Sequence, residues 1–164
     1  MIPDRKDYHE LSDKLRGQII GATINLELVI EQFIALYFCS NDIKKTKEFI
    51  KLIFKENTGF GRKIELLEYI LSNEDKELLI VHPNVLRNIK TIVEYRNNLA
   101  HRYLDTTRNS IDRAKPNNSI ILMNLKTSKE TSYTSDEIKE ILELTYYCTN
   151  ILMYWHHSET VFPL

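Results

Sequence analysis

From Tyr8 to Cys39 the chain carries no proline, and its apolar residues recur at intervals of three and four: Leu11, Leu15, Ile19, Ala22, Leu26, Val29 or Ile30, Phe33 and Tyr37. This spacing puts them on one side of a helix and predicts a single long helix whose second half is apolar over a wide arc. Such a helix has to be covered by others, and the chain as a whole is sparing with helix breakers, with four Gly and four Pro in 164 residues. Hydrophobic residues at 43% and charged residues at 27% suit one soluble domain with a sizeable core. The longest apolar stretch, Ile19 to Cys39, is interrupted by Asn25, Glu27, Glu31 and Gln32. It is therefore expected to be a deeply buried helix and not a membrane span. The opening MIPDRKDYHE contains acids and no apolar run, unlike a signal peptide, so a cytoplasmic location with no membrane partner is expected.

The rest of the chain continues the helical pattern. SNDI offers capping residues for a second helix, Ile43 to about Glu56, and NTGFG breaks the chain before a third, about Arg62 to Leu71, carrying Ile64, Leu66, Leu67 and Ile70. SNED caps a short helical stretch, Lys76 to Val81. Pro83 opens the fourth helix, which is predicted to run to about Leu104. The polar DTTRNSIDRAKPNNS reads as a loop, SIILMNL as a short strand, and KTSKETSYT as a possible return strand completing a hairpin. Thr134 followed by Glu137 matches a capping box, and a last helix extends to about His157. The expected fold is all-α: a four- to five-helix bundle, one domain over residues 1–164, with a long loop or small hairpin before the last helix.

Composition excludes some functions and leaves others to local features. The formal charge is −1, so no overall basic field advertises nucleic acid and any anionic partner must be drawn by a local patch. Cys39 and Cys148 lie in apolar runs far apart in sequence and read as buried thiols, and His156 and His157 diverge by about 100° on a helix. No metal site and no cofactor is expected. Lys44, Lys45, Lys47, Lys51 and Lys55 stripe the second helix, either as a solvated face or, with Arg62 and Lys63 beside them, as an RNA-guiding strip; Lys44, Lys47 and Lys51 are candidate RNA contacts.

The most informative stretch is EYRNNLAHRYLD, Glu94 to Asp105. On a helical wheel Ile89, Ile92, Val93, Leu99, Ala100 and Tyr103 all fall within about 60° of Arg96, so this arginine is centred on the apolar stripe. Asn97 and His101, four residues apart, form a row beside it, while Asn98 and Arg102 point away. A guanidinium on a core-facing stripe needs partners for its donors. Either an internal carboxylate such as Glu27 or Glu31 supplies them, with His101 a satisfied helix-end histidine, or Arg96, Asn97, His101 and Tyr103 face a shared cleft that binds phosphate.

RNNLAHRY, with Arg followed by a polar residue, three more, His, any residue and Tyr, resembles the signature of the HEPN superfamily (higher eukaryotes and prokaryotes nucleotide-binding). These small helical bundles include metal-independent endoribonucleases of toxin–antitoxin, abortive-infection and CRISPR systems. The resemblance implies that Arg96, Asn97 and His101 form a ribonuclease centre, with Arg102 a possible RNA contact. It also implies a homodimer through the fourth helix, because the family usually builds its active site from two copies of the motif. Transesterification by the 2′-OH needs a base, an acid and a cation for the developing charge; His101 suits the first two roles and Arg96 the third. Tyr103 matches the tyrosine that a separate nucleotidyltransferase antitoxin modifies with AMP in some members; alternatively it packs on the stripe. Non-catalytic members that bind nucleotides or proteins are the other function the resemblance allows.

Overall fold

The computed structural model describes residues 5–40, 42–54 and 58–155. The described residues form seven helices: α1 (Arg5–Cys39), α2 (Ile43–Ile53), α3 (Phe60–Asn73), α4 (Lys76–Val81), α5 (Val85–His101), α6 (Arg108–Ala114) and α7 (Ser135–Trp155). A three-stranded antiparallel sheet of β1 (Tyr103–Leu104), β2 (Ser119–Asn124) and β3 (Lys129–Thr134), in that order, lies between α5 and α7 in sequence. The fold is thus mainly helical, with a small hairpin before the last helix, as the periodicity predicts. The fourth helix of the sequence reading is α5. His156 and His157, Lys55 and Glu56 lie outside the described residues.

The chain divides into two compact units, Met1–Thr23 with Ile92–Leu144, and Ile24–Thr91 with Thr145–Leu164. In the first, Leu15 and Ile19 of α1 and Leu99 of α5 join Ile111, Ala114, Ile120, Ile121, Leu122, Tyr133, Ile138 and Ile141 in one apolar cluster. β2 pairs with a strand on each side, and its four residues Ser119–Leu122 are all buried. Tyr8 enters this core hydroxyl first, accepting a bond from the Ile121 amide at 2.7 Å. Burial pushes its phenol above the ordinary pKa. Tyr133 packs edge-on against Tyr95 at 5.8 Å between ring centres.

The segment after α5 departs from the expected loop. Asp105 accepts from the Thr107 amide at 2.9 Å and the Ser110 hydroxyl at 2.8 Å, and Thr107 caps α6 by accepting from the Ser110 amide. These bonds start a helix that buries Ile111 and Ala114 in the core. The Thr107 amide holds the buried Asp105 carboxyl below the usual carboxylate range. On the other side of the hairpin the capping box forms in both directions, Glu137 N–H to Thr134 Oγ1 at 3.1 Å and Thr134 N–H to Glu137 Oε2 at 2.7 Å.

In the second unit Leu26, Ile30, Phe33 and Ile34 of α1 are buried, as are Leu67, Ile70 and Leu71 of α3, Leu78 of α4, Val85 and Ile89 of α5, and Cys148 and Leu152 of α7. The Cys148 thiol is pushed up to about 12 by burial, so it stays protonated, whereas Cys39 is half-buried. Lys63 is buried with its ammonium between two carboxylates of α1, on Glu27 and, at 2.5 Å, on Glu31. Lys63 is therefore not part of a solvent-facing basic strip. Its place on the stripe of Ile64, Leu67 and Ile70 draws it inward, and the two glutamates make that burial tolerable. Helix α1 is long and apolar enough to cross a membrane, with half of its most apolar window buried inside the protein. Its Asp42-capped successor α2 ends at Ile53, where the Phe54 amide bonds back to Ile50.

Candidate functional site

Helix α5 ends at His101, earlier than the expected Leu104, because the next residues pair instead with β2. Tyr103 stands opposite Met123 and Leu104 opposite Leu122, and the Asp105 amide continues the pairing to the Ile121 carbonyl at 2.9 Å. The helix end is held from α1: Arg16 donates to the carbonyls of Ala100 (3.4 Å) and Arg102 (3.3 Å), on either side of His101. Carbonyls of a last helical turn have no intrahelical donor, and an arginine is well suited to satisfy two of them.

This switch from helix to strand builds a cleft of about 530 Å³, lined by Asn97, Asn98, His101, Arg102, Tyr103, Asn124, Leu125 and Lys126. All eight belong to the first unit. Asn97 and His101 come from one row of α5, as the wheel predicts. Arg102 and Asn98, expected to point away, line the cleft as well. Tyr103 is not on the apolar stripe of the helix: it lies in β1 and is 60% exposed. For Arg102 and Tyr103 the expectation failed because a helical wheel was extended past His101, where the helix ends and strand pairing takes over; Asn98 is still within α5 and lines the cleft from the helix's last turn.

The electrostatics of the cleft are one-sided. Its lining contains Arg102, Lys126 and His101 and no carboxylate. Arg102 Nη1 donates to the Thr131 hydroxyl of β3, and its charge draws the Tyr133 phenol down somewhat from the level to which burial raises it. Arg96 is half-buried, and its guanidinium donates to Asn97 Oδ1 at 3.1 Å. It does not line the cleft itself but holds the amide that does. Neither Glu27 nor Glu31 is its partner, since both bind Lys63. Among the described residues, none of Arg16, Arg96, Arg102 and Lys126 pairs with a carboxylate.

The other expected contacts lie elsewhere. Lys44, Lys47 and Lys51 are exposed on α2 in the second unit, and none lines this cleft. Arg62 pairs with Glu65 at 2.6 Å. Among the described residues, no three His, Cys, Asp or Glu side chains converge in a way that would hold a metal ion. Sequence reasoning missed Arg16, Asn124, Leu125 and Lys126, which reach the site through pairings remote in sequence. No family model, curated protein or solved structure matches the chain.

Proposed function

We propose that the chain is a metal-independent endoribonuclease of the toxin or phage-defence type, cytoplasmic, acting as a homodimer through α5. The observation that carries this reading is a cleft containing His101 and two cations, with no carboxylate to neutralise them. Such a surface attracts a phosphate chain, and a histidine beside the held phosphate supplies proton transfer. In the proposed reaction His101 takes the proton of a ribose 2′-OH, and the freed oxygen attacks the adjacent phosphorus. The 5′-oxygen then leaves with a proton from His101 of a second copy, giving a 2′,3′-cyclic phosphate and a 5′-OH. Arg102 and Lys126 hold the phosphate, while Arg96 fixes Asn97 so that its amide is aimed at a phosphate oxygen or the imidazole. The exposed Tyr103 hydroxyl is available to a separate nucleotidyltransferase antitoxin, which would silence the cleft by adding AMP.

A second reading, a nucleotide-binding or protein-interaction module without cleavage, is favoured by one observation: Arg96 lies off the cleft lining and is engaged with Asn97. The two readings separate in one assay, incubation of mixed RNA with purified protein in EDTA beside His101→Ala, with analysis of product ends. Cleavage that leaves cyclic phosphates and falls by about 10²-fold or more in the variant supports the nuclease. Equal inertness of two folded proteins supports the module.

A further inference from the structure

We propose that Tyr103 and the β2–β3 hairpin form the substrate-selecting wall of the cleft, clamping one unpaired nucleobase of single-stranded RNA between the Tyr103 ring and the Leu125 side chain. This rests on the reading of the cleft as an RNA site, and adds to it a ligand subsite outside the Arg96–His101 row.

Tyr103 and Leu125 both line the cleft and are 60% and 58% exposed, so both side chains are accessible to a ligand. The strand register explains why they belong together. Tyr103 stands directly opposite Met123, and Leu125 opens the turn that follows β2, at the same end of the ribbon and on the wall of the same cleft. A planar base touching an apolar group on each side requires about 7–8 Å between those groups, twice a carbon–carbon contact. The Tyr103 ring and the branched aliphatic group of Leu125, both on the wall of the cleft, offer a base two apolar faces.

The polar groups around this pair complete the recognition. Asn97, Asn98 and Asn124 bring amides that both donate and accept, which is what reading a base edge requires. Arg102 and Lys126, neighbours in sequence of Tyr103 and Leu125, bring one cation to each side of the clamp for the flanking phosphates. Stacking needs a base that has left its helix, so the ligand is single-stranded. The hairpin is tied to the helix end by Arg102 to Thr131 and by the β1–β2 pairing, which fixes the clamp relative to His101.

The test uses a 2′-O-methyl single-stranded RNA, which has no attacking hydroxyl, carrying one 2-aminopurine, together with a matching strand that has an abasic position instead. Expected for the intact protein is tighter binding of the base-containing strand, with quenching of the 2-aminopurine as it stacks. Tyr103→Ala should weaken that binding by about tenfold and abolish the difference between the strands. Tyr103→Phe should retain both, because the ring and not the hydroxyl makes the clamp. Leu125→Ser, at an exposed position, should show a smaller loss in the same direction. Equal binding of the two strands by the intact protein, or unchanged binding by Tyr103→Ala, overturns the clamp. Cleavage in EDTA is scored separately. A cleaving enzyme indifferent to Tyr103→Ala defeats the clamp and leaves the nuclease standing, whereas Tyr103-dependent binding without cleavage does the reverse.

Discussion

Two groups of cations in this protein are treated in opposite ways. In the second unit Lys63 is sunk between Glu27 and Glu31, and its charge is answered by two carboxylates. Burial alone would lower its pKa, but those carboxylates outweigh burial and hold the ammonium above its ordinary value. In the first unit Arg16 meets two backbone carbonyls, Arg96 an amide oxygen and Arg102 a hydroxyl, all of them neutral. A neutral acceptor satisfies donors without cancelling charge, so the field of these side chains remains available to a ligand. The closed cluster holds helices together; the open one surrounds His101 and is where an anion belongs.

The sharpest way to break this contrast is to remove the closed cation. Lys63→Ala leaves two carboxylates with no partner in an apolar surrounding, and a loss of about 3–5 kcal/mol is expected in chemical denaturation. Lys63→Met together with Glu27→Gln and Glu31→Gln should recover much of it. If Lys63→Ala is as stable as the parent, the cluster is not closed as described. Because the Lys63 pKa is raised on folding, its contribution is fully present below the unfolded value near 10.5 and fades only as pH climbs above it.

At the open cluster the next largest effect concerns positioning. Arg96→Ala and Asn97→Ala are each expected to lower cleavage by about tenfold to a hundredfold with little change in stability. The double variant should be no worse than either single one, since Arg96 is assigned to act through Asn97. Additive losses would instead put Arg96 on the substrate directly. Smaller again is the salt effect: Arg102→Ala and Lys126→Ala should each reduce the slope of log affinity for single-stranded RNA against log salt by about 0.7.

How much of this was legible in advance differs between the same two regions. The helices, the Asp42 cap and the Thr134–Glu137 box follow from local spacing, and so does the Asn97–His101 row, because residues four apart on a helix share a face. The position of Lys63 was also local: it sits one turn before Leu67 on the α3 stripe, a signal obscured by the lysines that precede it in sequence. Tyr103, Arg16 and the hairpin tip were not legible. Tyr103 continues the wheel pattern and is redirected only because β2, remote in sequence, pairs with it. Nothing in DKLRGQ indicates that Arg16 will cap α5, since its partners are backbone carbonyls, which every residue has.

The smallest expected effect tests the frame behind the cleft. Asp105→Asn should cost about 1 kcal/mol near neutral pH by weakening the bonds from Thr107 and Ser110. The carboxyl is lowered on folding, so its stabilisation is present above the unfolded value near 3.8 and is lost as pH falls below it through the folded value. The difference between parent and variant, followed by denaturation against pH, should therefore shrink on acidification. A gap that widens instead contradicts the assignment.

The measurement that bears most directly on the contrast is an NMR titration of the labelled protein with uncleavable 2′-O-methyl single-stranded RNA. The account predicts saturable shifts at Asn97, His101, Arg102, Tyr103, Asn124 and Lys126, with Glu27, Glu31 and Lys63 unmoved. Shifts confined to Lys44, Lys47 and Lys51 of α2, or none at all, would contradict it.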